Sequence, residues 1–464
     1  MSQPCRRLII PVEVFNREFD AKVLLSCFAA ERGFSVIIGE KHEIKLSLAS
    51  FPRSIFIPTN MNNRYQVTTT LLNNLGHTLV GSDEEAIVYC SPEVYVKEKL
   101  GSEVFPQPKL FLAWGPENSR IWKMQHNYNQ MPIHITGNPR TDLLRQELRP
   151  YWSHPVESIR KKFGRIILIN TNFGKLNHFR PNKGDERKVL DAATHSPSTI
   201  DQQELGMAKH RLSLFGYFQS MIGELATAFP THTILIRPHP SESHETWRLA
   251  AKGCSNVKVH FEGNAIPWLM AADAIIHNSC TTGLEGFVLD RPVFSYQPVT
   301  SDCYDKKLPN SLSHRATSCQ ELIDLIQKSL ASSTTPVPHN GSEHKVQLVQ
   351  QYLAFLNGPF ASEKIVEVLE HFDNTNTQPK PNWLKVFTAK SHAISRKLKR
   401  KFNAQFRMAN LNRSQRYEYL QHIFPEMEIS MLQERIERFQ HVLQRFKDIK
   451  VRSLAKSIFE ISAK

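Results

Sequence analysis

The string Arg237-Pro238-His239-Pro240 carries side chains that suit contact with an anion. It ends an apolar run, 233–237, that predicts a buried β-strand, so we expect His239 at the carboxyl end of that strand. Ligands of open α/β sheets bind beyond the carboxyl ends of the strands, and the two prolines restrict the backbone on either side of the ring. We therefore predict that His239 donates to a phosphate or a leaving oxygen and that Arg237 supplies charge. The alternative is a histidine that only hydrogen-bonds polar groups at the end of the sheet and contacts no ligand.

A second string, 272–286, runs from an apolar strand directly into hydroxyl side chains. Ser279, Thr281 and Thr282 fall around the N-terminus of the helix that follows, where backbone N–H groups and the helix dipole favour an anion. This pattern predicts a phosphate-binding site without a Walker lysine, and the alternative is an ordinary Ser/Thr N-cap. Glu285 lies one turn further on and could accept from a ribose hydroxyl, or be a partly exposed helix glutamate.

Three consecutive acids, Asp83, Glu84 and Glu85, follow a short apolar strand at 79–80. Adjacent carboxylates are costly unless they are solvated or used. The functional hypothesis is that one of these carboxylates faces a cleft opposite His239 and acts as general base or as nucleophile. The alternative is a solvated start of a helix, since acids suit a first helical turn.

Asn172 follows another predicted strand, 165–170, and precedes Gly174. Small polar residues and a glycine at this point allow close approach of the backbone to a ligand. The spacing is not G-x-G-x-x-G, so dinucleotide binding is not indicated. The stretch that follows, 173–205, is rich in Asn, Lys, Asp, Thr and Ser and predicts a mobile loop.

The segment 136–142, Thr-Gly-Asn-Pro-Arg-Thr-Asp, has the composition of a turn. We expect Thr141 or Asp142 to cap the helix that follows. Arg140 is the residue of this segment most suited to a further role, and the alternative is a purely structural turn near a hinge between domains.

These strings are positioned by short apolar strands that alternate with amphipathic helices over 8–330, a pattern typical of parallel sheets with helices on both faces. The alternation restarts after a helical linker at 151–164. We therefore predict an α/β fold with two Rossmann-like domains that face each other, 1–155 and 156–375, followed by a basic helical extension at 376–464. The predicted strands are 8–12, 34–39, 54–58, 79–80, 109–114, 133–136, 165–170, 233–237, 257–260, 274–277 and 293–295.

The charge of the 464-residue chain is concentrated at one end. Residues 380–464 contain 19 Lys and Arg against 7 Asp and Glu, which is +12 of the net +14. The remaining residues are nearly neutral, which argues against a protein coated with nucleic-acid-binding charge. The hydrophobic content of 41% and the charged content of 22% are those of an ordinary globular protein and exclude a disordered chain or a disulfide-rich miniprotein.

Cysteine and histidine usage argues against disulfides and metal sites. The seven cysteines are scattered without a C-x-x-C pair, and no H-x-x-x-H occurs. No apolar run approaches the ~18 residues that span a bilayer, and Pro11 and Glu13 interrupt the apolar stretch near the start, unlike a signal peptide. We expect reduced thiols, no metal and a cytoplasmic location.

As an ordered set, the strings resemble the bacterial surface carbohydrate biosynthesis proteins over about residues 8–300. The resemblance implies a GT-B glycosyltransferase fold, related to the bacterial enzymes that transfer Kdo (3-deoxy-D-manno-octulosonic acid) from CMP-Kdo onto capsule or O-antigen glycans. The matching segments, in order, are 11–22, 30–33, 38–39, 83–85, 114–115, 136–142, 171–173, 237–240 and 278–286.

The resemblance implies that His239 and Pro240 contact the phosphate of CMP, because His-Pro is one of three motifs that those enzymes share with bacterial sialyltransferases. A second motif, Ser followed by Ser or Thr, is matched approximately, since Cys280 separates Ser279 from Thr281.

The remaining shared motif is an acidic pair followed by glycine. Glu84 and Glu85 match the pair, but Ala86 stands in place of the glycine. The predicted catalytic residues are then Asp83, Glu84, Glu85 and His239. The predicted donor-binding residues are Arg237, His239, Pro240, Ser279, Thr281, Thr282, Glu285 and Asn172.

The sequence therefore predicts a metal-independent transferase without a cofactor, which moves a sugar, Kdo being the candidate, from a nucleotide-activated donor onto a glycan or lipid-linked glycan acceptor. Alternatives are a CDP-alditol-type glycerophosphotransferase, an enzyme like the UDP-sugar epimerases, and a non-catalytic assembly protein.

The basic end is predicted to be an appendage outside the catalytic body. Residues 395–401 form a cationic amphipathic stretch, and 431–459 predict one or two helices. Nothing in the rest of the sequence supports nucleic acid as a partner. The expected partner of 380–464 is the anionic inner face of a bacterial membrane, and the alternative is a helical bundle with solvated Lys and Arg.

Overall fold

The computed structural model divides the chain into two compact units, which are described separately. Unit 1 consists of Met1–Ile87, Pro92–Tyr151 and Leu348–Lys464, and unit 2 consists of Val88–Ser91 and Trp152–Gln347. No helix within the described part of the chain is both long enough and apolar enough to cross a membrane. The structure describes residues 6–180, 184–195, 201–331, 343–375, 383–391, 395 and 424–463.

Unit 1 is built on a sheet whose first four strands are parallel and follow the apolar runs of the sequence. The central strand pairs with its neighbours in parallel, with Leu8 opposite Val36 on one side and Ile55 on the other. An isolated parallel bridge between Gly81 and Phe111 leads on to a two-stranded sheet. The strands are β1 (Arg6–Val12), β2 (Phe34–Glu40), β3 (Ile55–Phe56), β4 (Thr78–Leu79), β5 (Phe111–Ala113) and β6 (Ile133–Ile135).

Helices alternate with these strands, as the sequence predicts. The first helix is almost wholly buried, because the sheet and helices from the last part of the chain pack against it. The α-helices are α1 (Phe15–Glu31), α2 (Lys41–Ser47), α3 (Gln66–Leu75), α4 (Pro92–Lys99), α5 (Pro116–Trp122) and α6 (Pro139–Asp142), with 3₁₀ turns at Leu48–Ser50, Asn63–Tyr65 and Gln146–Trp152.

Unit 2 is a second α/β layer, with a fully parallel six-stranded sheet in the order β12-β11-β10-β7-β8-β9. Its central strands are apolar and buried on both faces, as expected for a parallel sheet covered by helices. The strands are β7 (Ile166–Asn170), β8 (Thr233–Arg237), β9 (Val257–Val259), β10 (Ala274–His277), β11 (Val293–Tyr296) and β12 (His314–Ala316).

The helices of unit 2 include one that the sequence analysis assigned to a loop. The predicted loop 173–205 contains α8 and the start of α9, because acids at Asp185 and Asp201 favour helix N-termini there. The helices are α7 (Ser153–Phe163), α8 (Asp185–His195), α9 (Gln202–Ala228), α10 (His244–Ala250), α11 (Ala265–Ala271), α12 (Thr281–Val288), α13 (Lys307–Leu312), α14 (Cys319–Ala331) and α15 (Glu343–Tyr352), the last of which continues into unit 1.

The end of the chain returns to unit 1, which differs from the predicted boundaries at 155 and 375 and from the predicted appendage. The second of its two strands pairs antiparallel with β2, with Phe459 opposite Ile38, so it extends the unit 1 sheet. The elements are α16 (Ala361–Thr375), α17 (Ile429–Leu443), β13 (Ile449–Ala455) and β14 (Ile458–Ala463).

The prediction of helix through 431–459 is therefore wrong beyond Leu443. Gln444 adopts a left-handed backbone conformation (φ 55°) that ends α17. The residues after it pair with a strand more than 400 positions away in the sequence, which local periodicity cannot reveal. The cationic stretch 395–401 lies outside the described residues except for Ser395.

Candidate functional site

A single buried carboxylate joins two loops at the carboxyl edge of the unit 2 sheet. One oxygen of Glu242 accepts the Thr171 hydroxyl (2.8 Å) and the Phe173 N–H (3.0 Å), which follow β7. The same oxygen accepts the His239 N–H (3.0 Å), and the other accepts the Trp247 indole N–H (2.9 Å). Burial raises the pKa of Glu242, and these hydrogen bonds oppose the rise. Sequence analysis missed this residue, because an isolated glutamate after a loop carries no motif signal.

The imidazole of His239 lies exposed beyond the end of β8, where the sequence predicts it, and the half-buried Pro240 follows. Its Nδ1 lies 2.8 Å from Ser241 Oγ and accepts the Ser241 N–H at 3.3 Å, which places the proton of a neutral ring on Nε2. Gly174 packs against this pair, since a Cβ there would lie 2.0 Å from Ser241 Oγ. The ring is thus oriented as a donor through Nε2, which suits a phosphate or a leaving oxygen.

The helix α12 begins without a side-chain cap, so the alternative of a Ser/Thr N-cap is wrong. Its N-cap residue is Cys280, whose side chain makes no capping hydrogen bond. Thr281 and Thr282 are the first two helical residues, and Thr282 Oγ1 is buried with no hydrogen-bond partner in the described part of the chain. Backbone N–H groups, the helix dipole and this hydroxyl together suit an anion.

Ser279 shapes the loop that leads into α12. Its backbone lies in the left-handed region (φ 50°), a strained conformation that is frequent at binding sites. Its N–H donates to Asn310 Oδ1 (2.9 Å), and its hydroxyl accepts from the Lys306 N–H and from Asn310 Nδ2, both at 3.2 Å. A hydroxyl that accepts two hydrogen bonds still has one proton to donate.

A buried histidine lies behind the first turn of α12. His277 Nε2 is 2.8 Å from Ser313 Oγ, and burial lowers the pKa of His277 to about 3, so the ring is neutral. A Cβ on Gly283 would lie 2.4 Å from two atoms of this ring. Glycine at 283 therefore allows α12 to pack closely against the end of β10.

Arg237 provides a buried positive charge near the same helix. Its guanidinium donates to the Gly263 carbonyl (2.7 Å) and lies 4.8 Å from the centre of the Phe261 ring. Burial lowers the pKa of Arg237 to about 10, while Glu285 and Cys280 oppose the fall, so the group stays charged at neutral pH. Glu285 is half-buried on α12, where this charge reaches it.

A recess with an empty volume of about 420 Å³ opens within unit 2 at this edge. Asn172 lines it, as does Asn170, whose Nδ2 is buried without a partner among the described residues. Sequence analysis missed other polar lining residues, because they lie on α9 and before α13, far from the motifs in sequence. They are His210, Arg211, Tyr304, Asp305 and Lys306, and Asn278, inside the string 272–286, lines the recess as well.

The three consecutive acids of unit 1, Asp83, Glu84 and Glu85, have different surroundings. Asp83 is buried and accepts the Tyr95 hydroxyl (2.8 Å) and the Glu85 N–H (3.0 Å), and burial raises its pKa to about 6. Glu85 is exposed and pairs with Arg17 (2.8 Å) and Lys99 (2.5 Å). Arg17, and after it Lys99, holds the pKa of Glu85 well below its ordinary value. Asp83 therefore holds the segment in place and Glu85 is bound by two cations.

Glu84 is the member of the triplet that faces a recess of unit 1, which has an empty volume of about 420 Å³. Its Oε1 lies 3.3 Å from Lys22 Nζ, and its Oε2 is buried with no hydrogen-bond partner among the described residues. Such an arrangement leaves one carboxylate oxygen for a proton or for a reacting carbon. The predicted solvated helix start is wrong, because 84–87 form a turn and two of the three acids are buried.

Arg140 lines the same recess and donates to the Glu84 carbonyl (2.9 Å). Its helix, α6, is capped by Asn138, which accepts the Arg140 N–H at 2.9 Å. The prediction that Thr141 or Asp142 caps this helix is wrong. The buried Asp142 instead accepts two N–H groups and a hydroxyl at the start of α16.

Comparison with solved structures shows enzymes of the GT-B fold. The UDP-GlcNAc 2-epimerase of Methanocaldococcus jannaschii, in complex with UDP-GlcNAc and UDP, matches with a TM-score of 0.51 at 12% identity, over 79% of this chain and 99% of that one. The wall teichoic acid polymerase TagF, a histidine variant soaked with CDPG, matches with a TM-score of 0.50 at 11% identity, over 80% of this chain and 90% of that one.

At this identity the likeness shows the fold, and the predicted α/β, GT-B-like fold class with Rossmann-like domains is confirmed. No family model matches the chain, and no curated protein matches it. Within the described residues no cluster of three or more His, Cys, Asp or Glu could hold a metal ion. Metal independence itself stays a prediction.

Proposed function

We propose that the protein is a glycosyltransferase that moves a sugar from a nucleotide-activated donor onto a cell-surface polysaccharide acceptor, with CMP-Kdo as the first donor to test. The GT-B-like fold supports the enzyme class, since its structural neighbours include an epimerase in complex with UDP-GlcNAc and a teichoic acid polymerase soaked with CDPG. The resemblance of the His-Pro and acidic motifs to those of Kdo transferases supports the choice of donor.

The observation that carries the proposal is the uncapped N-terminus of α12. Thr282 Oγ1 has no partner in the described part of the chain, and Arg237 adds positive charge nearby. His239 is oriented at the same sheet edge, two residues beyond β8. An unpartnered buried hydroxyl costs free energy that a bound phosphate recovers, so this edge suits the phosphate of a nucleotide.

In the proposed reaction, Glu84 accepts the proton of the acceptor hydroxyl as that oxygen bonds to the anomeric carbon of the donor. The bond from this carbon to the phosphate oxygen breaks, and the nucleotide leaves with the electron pair. His239 donates through Nε2 to the phosphate as its charge develops. A carboxylate that acts as base gives inversion of configuration, whereas a trapped glycosyl-enzyme would make Glu84 the nucleophile.

The test is turnover of CMP-Kdo, CDP-glycerol and UDP-GlcNAc by the wild type and by His239→Ala. Transfer from CMP-Kdo that His239→Ala abolishes supports the full proposal. Transfer from CDP-glycerol instead supports an alditol phosphotransferase, and release of UDP from UDP-GlcNAc without acceptor supports an epimerase. Absence of both turnover and binding with all three donors overturns the proposal, and binding without turnover supports an assembly protein.

We also propose that the basic part of the chain binds an anionic membrane surface. A helical segment at 383–391 exposes Trp383, Leu384 and Phe387 (73%, 53% and 65% exposed) next to Lys385 and Lys390. Apolar and aromatic side chains beside lysines suit the interface of anionic lipid.

Deleting 380–464 is a poor test of this proposal, because it removes β13 and β14 from the unit 1 sheet. The better test is cosedimentation with phosphatidylserine vesicles of Trp383→Ala/Phe387→Ala, with Leu249→Ala as an exposed control on α10. We expect weaker binding of the double variant only. Equal binding of all three proteins, or equal binding to neutral vesicles, contradicts the proposal.

A further inference from the structure

The ammonium group of Lys22 is surrounded by three acceptors in the interior of unit 1. Its Nζ donates to the Pro11 carbonyl (2.7 Å) and to Glu18 Oε2 (2.8 Å), and lies 3.3 Å from Glu84 Oε1. A lysine has three N–H donors, so these contacts use all of them in one fixed geometry. The side chain of Lys22 is 7% exposed and that of Glu18 is fully buried, so the arrangement is screened from solvent.

The charges of this group balance. Arg17 donates to the second oxygen of Glu18 (2.9 Å) and also pairs with Glu85, which Lys99 binds in turn. Three cations, Arg17, Lys22 and Lys99, therefore face three carboxylates, Glu18, Glu84 and Glu85. Burial favours the neutral form of Lys22, but Glu18 and Glu84 outweigh it and raise the pKa of Lys22. Removal of the ammonium would leave two buried carboxylates without their shared cation, which favours protonation of one of them.

The two oxygens of Glu84 have different surroundings. Oε1 is next to the ammonium, whereas Oε2 is buried without a protein partner among the described residues. Glu84 shares its recess with Lys22 and Arg140, and the Arg140 guanidinium binds the backbone carbonyl of Glu84. The carboxylate is therefore fixed on one side and available on the other.

We propose that Lys22 is a positioning residue, which fixes the Glu84 carboxylate through Oε1, supplies its countercharge and leaves Oε2 directed at the acceptor hydroxyl. This inference rests on the proposed function for the identity of the reaction. Glu18, bound by Arg17, holds the ammonium in turn. The charged groups that bear on Glu84 and its neighbours are Lys22, Glu18 and Arg17 on α1, Lys99 on α4, Arg140 on α6, and the adjacent Asp83 and Glu85.

The test compares Lys22→Met with Lys456→Met, which removes another paired lysine of unit 1, bound to Glu426 away from the acidic triplet. The first readout is the pH profile of kcat/KM. Without the ammonium a carboxylate holds its proton more tightly, so we expect the acidic limb of Lys22→Met to move upward by one pH unit or more. Lys22→Arg should restore part of the shift, and Lys456→Met should leave the limb in place.

The second readout does not depend on turnover. Carbodiimide and an amine modify protonated carboxyl groups, and peptide mass spectrometry reports modification of Glu84 at each pH. We expect Glu84 of Lys22→Met to react at higher pH than that of the wild type. Equal labelling profiles, or a folded Lys22→Met that loses the same fraction of activity at every pH, overturn the inference. If the wild type turns over no donor, the labelling profile still decides the role of Lys22.

Discussion

The two units differ in the buried polar groups at their sheet edges. In unit 1 the charges are paired with one another, as in the contacts of Lys22 with Glu18 and Glu84, and of these three side chains only one oxygen of Glu84, Oε2, lacks a partner among the described residues. In unit 2 the edge includes polar atoms without a partner among the described residues, Thr282 Oγ1 and Arg237 Nε.

This difference indicates different tasks. Paired buried charges hold a carboxylate in one ionisation state and one orientation, which suits proton transfer. Buried donors without partners cost free energy until a ligand satisfies them, which suits binding. In the proposed function, unit 1 supplies the base for the chemical step and unit 2 holds the phosphate.

We expect the largest effect from Glu84→Gln, which should impair the chemical step without impairing nucleotide binding. Loss of the base should lower kcat by about 10²–10⁴, the usual contribution of general base catalysis. Nucleotide binding, measured by calorimetry, should stay unchanged, because it depends on unit 2. Glu117→Gln, which breaks an exposed pair with Arg120 in unit 1, is the control. More than a tenth of the wild-type rate in Glu84→Gln would contradict the assignment.

A smaller effect on stability is expected from Gly283→Ala. The added Cβ would lie 2.4 Å from the His277 ring, and overpacking of this kind costs about 1–3 kcal/mol. In Gly216→Ala on α9 the added Cβ meets nothing within 4 Å, so helix propensity should stabilise that variant by up to about 1 kcal/mol. Chemical denaturation measures both. A neutral Gly283→Ala would show that α12 does not depend on close packing.

Thr282→Val tests the unpartnered hydroxyl more finely. Loss of one hydrogen bond to a phosphate should weaken nucleotide binding by roughly 1–1.5 kcal/mol, which is about tenfold, without loss of stability. The control is Thr227→Val, since the Thr227 hydroxyl bonds only within its own helix, to the Gly223 carbonyl. An unchanged dissociation constant for CMP and UDP in Thr282→Val would place the phosphate elsewhere.

How much of this could be predicted from the sequence depends on how local each feature is. His239 is predictable, because an apolar strand and two prolines fix its place. Glu242 is not, because its role arises from donors on three different segments. β14 is not, because its partner β2 is remote in sequence. The separate environments of Asp83, Glu84 and Glu85 depend on Lys22 and Tyr95, which no spacing rule connects to the triplet.

The smallest effect concerns acid stability, where the regions around β10 of unit 2 and β1 of unit 1 should differ. Burial lowers the pKa of His277 to about 3, so the stability it contributes is complete above the unfolded value of about 6.5 and is lost as pH falls toward 3. For Glu18, burial is outweighed by Lys22 and Arg17, which lower its pKa to about 2, so its contribution is lost only below about pH 4.5.

Between pH 6.5 and 4.5 His277 therefore weakens the region around β10, whereas Glu18, on the helix that packs against β1, does not change. In unit 1 the comparable loss comes from His77 beside β4, whose pKa burial lowers to about 4. Hydrogen exchange with mass spectrometry, corrected for intrinsic rates, should show loss of protection in β10 before β1. His277→Gln should remove the pH dependence of β10 in this range. Earlier loss of protection in β1 would contradict the expected order.

The most direct test of the central claim is a crystal structure of the full chain soaked with CMP and, separately, with UDP. We expect the nucleotide phosphate at the N-terminus of α12, within hydrogen-bonding distance of Thr282 Oγ1 and His239 Nε2. A nucleotide bound away from this edge, or no nucleotide at concentrations at which calorimetry detects binding, would contradict the claim that unit 2 holds the donor through its phosphate.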